Sequence, residues 1–344
     1  MKNAPPSWPA LTLRMNAIEL IDTEDTPAGF LKDLPEGEDF YRACQHAIPE
    51  FTMNYLVASR TGKRIAVIPY FVTNFRLNTM LGNSWPMRMF GWAKLGIACI
   101  GHPTVGLGRI DGEVSGELLD AAYQLLSRKA AIVACKGFTK DLPATGFVRA
   151  AGLPVAMLHL DGDFWDNLHG HKTRNDLKRK LKASSALRFE QHDGLPENHL
   201  SRVHELYLNT RNRSPIQFEY LSPEYFSNTS RLSIYVLAFL DDRLVGFAQM
   251  LSKDDKAVGK YLGMDYAVNR WHDLYFALYL QALEICSQQG FREIEFGESS
   301  YRFKKELGCK LVDTWVYYRH RNPVAHALLS RFAFLLEPSS DELR

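Results

Sequence analysis

The sequence predicts an α/β protein with mixed sheets, built from two copies of one module. Residues 55–72 have the pattern of a strand, a tight turn at Arg60-Thr61-Gly62-Lys63 and a second strand. Residues 234–251 repeat this pattern around a turn at Asp241-Asp242-Arg243. Each hairpin is followed by a helix, a short apolar strand and a strand that begins with glycine. A repeated order of elements is typical of a duplicated module, and we expect the two copies to share a cleft.

The elements after each hairpin set the predicted domain boundaries. In the first half they are Val114–Arg128, Ala131–Cys135 and Gly152–Leu160. In the second half they are Trp271–Gln289, Glu293–Phe296 and Gly308–Tyr318. We therefore expect modules at residues 1–160 and 163–320, followed by an amphipathic helix and tail at 321–344. Residues 74–113, rich in Gly, Asn, Trp and Met, are predicted to be a loop insertion over the cleft.

Local signals predict the remaining elements. A first strand is expected near Ala17–Ile21 and a helix near Glu38–His46. Asp163 is a suitable cap for a strongly basic helix from Phe164 to about Ala183. The apolar helix Trp271–Gln289 is expected to be buried. A last helix starts at Asn322-Pro323, is too short to span a bilayer, and is expected to pack on its domain rather than contact a membrane.

The composition excludes several classes of protein. The 344 residues carry a formal net charge of +2, which is too close to zero to indicate nucleic-acid binding by itself. No apolar run approaches the length of a membrane span, and the proline-containing N-terminus does not resemble a secretory signal. The five cysteines are scattered, which fits a reduced, cytosolic protein. No metal site is expected, because His169 and His171 lack helical ligand spacing and nearby ligand partners.

Residues 261–318 hold the most specific motifs. They contain Tyr261-Leu262-Gly263-Met264-Asp265, then Ile294-Glu295-Phe296-Gly297-Glu298, then Tyr301-Arg302-Phe303-Lys304 before Glu306-Leu307-Gly308. This stretch resembles the C-terminal half of the Fem-type peptidoglycan aminoacyltransferases and the tandem GNAT proteins known as BioF2-like or CelD-like acetyltransferases. The basic segment Lys172–Arg179 resembles a helix of the same group. The resemblance covers about residues 160–320.

The resemblance implies a duplicated GNAT fold, the fold of acyl-CoA N-acyltransferases. In that fold two neighbouring parallel strands separate, the gap admits an acyl donor, and an amine enters from the other side. The sequence departs from the family where glycines should cradle the pyrophosphate of coenzyme A, since the second module has Ala267-Val268-Asn269-Arg270 there. The first module has Gly106 and Gly108, which we take with Lys178 as candidate cofactor-binding residues. The co-substrate is then acyl-CoA, or another activated carrier such as aminoacyl-tRNA.

Three residues are predicted to be catalytic. Lys304 would place a cation near the carbonyl oxygen on which charge develops during amide formation. Asp265 and Glu298 each follow a strand that should line the cleft, and they are candidates for the base that deprotonates the attacking ammonium.

Five further residues are predicted to bind substrate. Arg174 on the basic helix and the loop residues Arg211 and Arg213 are suited to phosphate or carboxylate groups. Tyr261 and Tyr301 would shape the pocket or donate to the leaving group.

The combined interpretation is an N-acyltransferase that moves an acyl group from acyl-CoA to the amine of a small molecule by direct attack. One alternative is an aminoacyl-tRNA-dependent ligase of Fem type, which the missing glycine motif favours. Another is a binding protein that kept the fold and lost the chemistry.

Overall fold

The computed structural model describes residues 11–15, 17–76, 94–168, 170–214 and 219–338. The chain forms two compact units. The first contains residues up to Phe30, Glu50–Val155 and the chain from Val312, and the second contains Leu31–Pro49 and Ala156–Leu311. The units are therefore discontinuous in sequence, unlike the consecutive halves 1–160 and 163–320 that we predicted.

The first unit is built on a nine-stranded sheet in the described residues, with the order β1-β2-β3-β4-β5-β7-β16-β8 and with β6 paired to β4. Its strands are β1 (Thr12–Met15), β2 (Ile18–Thr23), β3 (Thr52–Arg60), β4 (Lys63–Arg76), β5 (Lys94–Ile100), β6 (Asp111–Gly112), β7 (Ile132–Phe138), β8 (Val148–Ala151) and β16 (Trp315–His320). Helix α2 (Gly116–Leu126) covers the core of this sheet and is capped by Ser115, whose hydroxyl accepts from Leu118 N. Helix α9 (Pro323–Arg331) and a 3-10 turn (Ala333–Leu336) follow β16.

The second unit is built on a seven-stranded sheet with the order β10-β11-β12-β13-β14-β9-β15. Its strands are β9 (Val155–His159), β10 (Leu187–Asp193), β11 (Ser233–Leu240), β12 (Arg243–Lys253), β13 (Lys256–Met264), β14 (Glu293–Glu295) and β15 (Lys310–Val312). Its helices are α1 (Glu38–Cys44), α3 (His171–Ala183), α4 (Leu200–Arg213), α5 (Pro223–Asn228), α6 (Tyr266–His272), α7 (Leu274–Gln288) and α8 (Tyr301–Glu306). Short 3-10 turns lie at Phe164–Asn167, Glu197–His199 and Ser230–Leu232.

The two sheets share one strand order, which confirms the predicted duplication. From β2 onward the first sheet matches the second strand by strand, and the parallel pair β5–β7 corresponds to the parallel pair β13–β14. Strand β5 lies inside the predicted insertion 74–113 and is the counterpart of β13. The prediction of an inserted loop is therefore wrong for residues 94–100. The predicted lid falls largely on residues 77–93, outside the described residues.

Two strands belong to the opposite sheet from the one we predicted. Strand β9, assigned to the first module, pairs with β14 in the second sheet, and β16 pairs with β7 and β8 in the first. The connections that lead to these strands are bonded together, since Gly152 N donates to Thr314 O (2.8 Å) and Thr314 Oγ1 donates to Leu153 O (2.9 Å). Leu153 precedes Pro154, which favours extended backbone and carries the chain onward instead of reversing it.

The predicted buried helix Trp271–Gln289 is two helices. Asp273 adopts a left-handed conformation (φ 47°) between α6 and α7. Helix α7 is buried on most sides, as expected, but Trp271 on α6 is 74% exposed. Asn269 Oδ1 accepts from Tyr275 N (2.8 Å) and so caps the first turn of α7.

A buried ion pair lies in the core of the first unit. Lys129 Nζ contacts the Asp22 carboxylate, and both side chains are 2% exposed. Tyr70 closes the group, because its hydroxyl donates to Asp22 Oδ1 (2.7 Å) and accepts from Lys129 Nζ (2.8 Å). Burial, and then the adjacent Asp22 carboxylate, raise the pKa of Tyr70 well above its usual value. A fully satisfied buried pair is costly to break because the remaining charge would be left without its partner.

Lys129→Met is expected to lower the free energy of unfolding by about 3–5 kcal/mol, because it leaves the Asp22 charge buried and unpaired. Urea unfolding followed by circular dichroism measures this loss. The matched control is Arg14→Met, which removes an exposed ion pair to Glu19 and should cost about 1 kcal/mol or less. The double variant Lys129→Met/Asp22→Leu should recover part of the loss. A Lys129→Met protein as stable as the Arg14→Met protein would contradict a buried, stabilising ion pair between Lys129 and Asp22.

Candidate functional site

The parallel strands of the second unit separate soon after they pair. Their register covers Lys256 with Glu293, Ala257 with Ile294 and Val258 with Glu295, and it stops there because β14 ends at Glu295, whereas β13 continues to Met264. The carboxyl ends of parallel strands that part in this way form a crevice that commonly binds ligands. The candidate site is therefore this gap and the residues on its two sides.

The helices that follow β13 offer no glycine cradle. Residues 267–270 lie within α6, and the Asp265 side chain caps this helix by accepting from Ala267 N (3.0 Å). Arg243 pairs with the same carboxylate at 3.0 Å, and Arg202 lies 3.9 Å from it. Asp265 is thus a structural cap. A carboxylate at this helix start would also repel a pyrophosphate.

A pocket of about 420 Å³ lies among α3, α7 and α8. It is lined by Asp176, Lys180, Tyr275, Phe276, Ser300, Arg302, Phe303 and Glu306. Lys180 Nζ lies 3.5 Å from the centre of the Phe276 ring and pairs with Asp176 at 2.9 Å. Hydrogen bonds from Lys180 and then Arg179 lower the pKa of Asp176. The pocket combines aromatic side chains with two cations, and each cation is paired with an acid of the same lining, Lys180 with Asp176 and Arg302 with Glu306. Aromatic rings beside cations are suited to a nucleotide.

Lys304 is inside the protein. The residue is 0% exposed, and its ammonium donates to Phe296 O (2.5 Å) and Gly297 O (3.3 Å) directly after β14. Burial lowers the pKa of Lys304 to about 8, and the negative charges of Glu298 and Glu295 act in the opposite direction. The predicted open cation beside the acyl carbonyl is therefore not what the structure holds. Lys304 instead fixes the backbone at the end of β14.

Glu298 lies in the same loop, two residues before the pocket residue Ser300. It is half-buried and close enough to Lys304 to raise that lysine's pKa. Of the two predicted bases, Glu298 keeps a position at the gap, whereas Asp265 is occupied by capping and ion pairing.

The two predicted tyrosines differ in their surroundings. Tyr301 is completely buried at the start of α8 and contributes to the core. Tyr261, on the gap half of β13, donates its hydroxyl to the Glu219 carboxylate. Burial, and then the Glu219 charge, raise the pKa of Tyr261 well above its usual value, so this phenol remains protonated.

The predicted basic residues do not converge on one point. Arg174 donates to the backbone oxygen of Trp165 (2.7 Å), and Arg211 donates to that of Glu219 (3.1 Å). Arg211 and Arg213 lie in the last turn of α4 rather than in a loop, and the Arg213 guanidinium lies 4.3 Å from the Tyr266 ring. Lys178 is exposed on α3, two residues from both Asp176 and Lys180 and so about 200° around the helix from the pocket.

The glycines predicted to hold a cofactor serve backbone packing. Gly108 N donates to Gly137 O (2.8 Å), which ties this loop to the end of β7 in the first unit. A Cβ at Gly108 would lie 2.0 Å from Lys136 O, and one at Gly137 would lie 2.1 Å from Gly106 O. The loop needs glycine for this close approach. The Gly108 amide is used within the protein and does not point to a cofactor.

Sequence reasoning missed a buried polar group on the other side of β13. Lys260 is the extra residue of a bulge in this strand, and its ammonium pairs with Glu36 at 2.6 Å, with side chains 4% and 5% exposed. Cys44 and Tyr225 are fully buried nearby, and burial raises the pKa of both. A lysine in the middle of a largely apolar strand was the available signal, and its partner lies 224 positions away.

Neither a metal site nor a membrane-spanning helix is found in the part of the chain that the structure describes. No group of three or more His, Cys, Asp or Glu side chains there is arranged to hold a metal ion. No helix in the same residues has the length and apolar character to cross a bilayer.

Residues 160–339 match a known protein family. These match the FemAB-like family, described as peptidoglycan biosynthesis/recognition. The chain belongs to the FemAB-like family. No curated protein matches the sequence.

Solved structures show the same fold in other proteins. The L-PGS structure from Bacillus licheniformis is 11% identical, with a TM-score of 0.56 over 90% of this chain and 97% of the other. FemX is 13% identical, with a TM-score of 0.51 over 89% and 96%. A tandem GNAT protein from clavulanic acid biosynthesis is 13% identical, with a TM-score of 0.51 over 89% and 99%. The FemAB-like chain therefore has the predicted tandem GNAT fold.

The buried Lys304 predicts a pH dependence of stability in this FemAB-like protein. A lysine in an unfolded chain has a pKa near 10.4, so between about pH 8 and 10.4 the unfolded state binds more protons than the folded state. Stability contributed through this group consequently rises with pH across that window, by on the order of 3 kcal/mol.

Urea unfolding of the wild type and of Lys304→Met at pH 7.5–10.5 isolates this contribution. Buried thiols that are not coupled to Lys304, such as Cys286, whose pKa burial raises to about 12, act in the opposite sense in both proteins and cancel in the difference. The wild type should gain stability relative to Lys304→Met as pH rises. The exposed neighbour provides the control, since Lys305→Met should run parallel to the wild type. A parallel curve for Lys304→Met would show that its ammonium is solvated.

Proposed function

We propose that the protein forms an amide bond by transferring an aminoacyl group from aminoacyl-tRNA to an amine, with the donor held by the second unit. Three features support this function: membership of the FemAB-like family, the aromatic and cationic pocket beside the strand gap, and the side-chain caps that replace a pyrophosphate cradle. The pocket carries the proposal. Tyr275 and Phe276 are the half-buried aromatic residues of its lining and can contact a base, and Arg302, which lies 3.5 Å from Glu306, is an exposed cation for a phosphate.

The surroundings of the pocket favour a polyanionic donor. Helix α3 carries six basic residues against one acid between Lys172 and Lys182, and several of these are exposed. Lys172 is four residues from Asp176 and therefore lies on the pocket side of the helix. Cations along such a groove bind phosphates by releasing counterions, and the affinity falls with salt. Acyl-CoA is the second candidate, since the solved tandem GNAT protein is described in relation to acetyl-CoA.

Within this proposal Glu298 is the general base and Lys304 is a positioning residue. The attacking ammonium must lose a proton before its nitrogen can bond to the acyl carbon, and Glu298 lies in the loop between β14 and the pocket. Lys304 holds that loop through the carbonyls of Phe296 and Gly297. Direct attack breaks the ester bond to the tRNA, and the tRNA hydroxyl leaves with a proton.

The first test concerns the donor. Bulk tRNA, charged with alanine or uncharged, should bind in fluorescence anisotropy with an affinity that falls steeply between 50 and 300 mM salt. Arg302→Glu and Lys172→Glu should each weaken binding about tenfold or more. Lys178→Glu makes the same charge change on the far side of α3 and should have a smaller effect.

Acetyl-CoA provides the competing outcome. Thermal denaturation with saturating acetyl-CoA should leave the melting temperature unchanged. Stabilisation by acetyl-CoA together with no tRNA binding would replace the proposed donor with acyl-CoA. If neither tRNA nor acetyl-CoA binds, the protein is better described as one that kept the fold and lost acyl transfer.

The second test separates the two predicted bases. Glu298→Gln should lower kcat for transfer by about a hundredfold or more, with the donor KM within a few-fold, because the proton acceptor is lost. Asp265→Asn keeps an oxygen that can cap α6 and should leave kcat within a few-fold. Single-turnover transfer from charged tRNA measures both variants. Equal, small effects would remove Glu298 from the mechanism.

A further inference from the structure

We propose that α9 and the turn after it form a docking surface for an anionic lipid bilayer. This surface comprises residues 321–334 and is called the C-terminal face below. The proposal does not depend on the acyl-transfer chemistry, because the residues that carry it belong to the first unit and take no part in the strand gap of the second.

The C-terminal face presents apolar side chains outward. Val324 is 70% exposed, Leu328 58%, Phe332 50% and Phe334 64%. Val324, Leu328 and Phe332 are spaced four residues apart and therefore lie on one side of the helix. None of the residues of α9 is buried. The expectation that this helix packs on its domain is wrong for its apolar side, where large side chains are left in contact with solvent.

The charged residues around these side chains indicate which kind of partner the C-terminal face binds. Residues 314–336 contain no Asp or Glu, but they contain Arg319, Arg321 and Arg331. Arg319 is occupied, because it lies 3.4 Å from Asp120 and its guanidinium is 3.9 Å from the Tyr123 ring. Arg321 and Arg331 are exposed, and Arg331, seven residues after Val324, lies at the edge of the apolar side.

An apolar strip bordered by arginines, with no acid between residues 314 and 336, matches the interface of a bilayer that carries anionic headgroups. The phenylalanines can enter the boundary between headgroups and acyl chains while the arginines remain at phosphate level. A neutral protein partner would not require the arginines. A second copy would bring Arg321 and Arg331 of both chains to the same apolar contact, which like charges oppose. The surface therefore fits an anionic bilayer better than either alternative.

The experiment is flotation of the full chain with vesicles of phosphatidylcholine alone or of phosphatidylcholine with phosphatidylglycerol (1:1). The wild type should float with the anionic vesicles and lose at least tenfold in apparent affinity on neutral vesicles and in 0.5 M salt. The triple variant Leu328→Gln/Phe332→Gln/Phe334→Gln should lose at least tenfold on anionic vesicles, and Arg321→Glu/Arg331→Glu should lose a similar amount. Trp271→Gln removes an exposed aromatic side chain of the second unit and should bind like the wild type.

Stability and size measurements separate the other occupants. The triple variant should melt within about 1 °C of the wild type, because exposed side chains contribute little to folding. A large drop in its melting temperature, with no vesicle binding by the wild type, would mean that part of the same chain covers the face. A wild-type dimer that the triple variant converts to monomer, again without vesicle binding, would make the occupant a second copy. Equal binding to neutral and anionic vesicles would also overturn the proposal.

Discussion

The constraint on which the candidate site depends is the early separation of β13 from β14. Three residue pairs hold these parallel strands together, and the backbone beyond them must find other partners because unpaired buried polar groups are costly. Two buried lysines lie at this separation. Lys304 donates to the carbonyls that follow β14, and Lys260 sits at the bulge of β13 with Glu36. A buried charged side chain therefore stabilises the backbone of each strand, Lys304 at the end of β14 and Lys260 at the bulge of β13.

The first unit has the same strand order but closes the corresponding region differently. There the loop after β5 approaches β7 so closely that Gly108 donates to Gly137 O, and side chains at these glycines would collide with backbone oxygens. The buried group of Asp22, Lys129 and Tyr70 belongs to the core of this unit. In the first unit the loop after β5 therefore packs against β7 of the parallel pair, whereas the second unit has a pocket beside the corresponding gap. This asymmetry is the structural reason for assigning donor binding to the second unit.

The sequence predicted the duplication because hairpins and helices are encoded by local periodicity and turn residues. It could not predict that β9 and β16 lie in opposite sheets, since a short apolar strand has the same pattern whichever sheet accepts it. Lys304 was found by its motif, but its burial was not, because burial is a property of the tertiary packing. Asp265 was likewise located correctly at the end of β13, and only the structure shows its carboxylate capping α6. The pair Glu36–Lys260 joins residues too distant in sequence for any local pattern to connect.

The absence of a glycine cradle is compatible with a working donor site when the energies are compared. An anion at a helix N-terminus gains about 0.3–1 kcal/mol from the dipole at an exposed site, and here the Asp265 carboxylate already occupies that position. Stacking of a base on an aromatic side chain contributes about 1–3 kcal/mol, and each phosphate paired with a cation adds a salt-dependent gain. The second unit lacks the smaller contribution and offers groups for the larger ones in Tyr275, Phe276 and Arg302. A donor recognised through stacked bases and phosphates therefore needs no cradle, whereas coenzyme A would lose the contacts that usually hold its pyrophosphate.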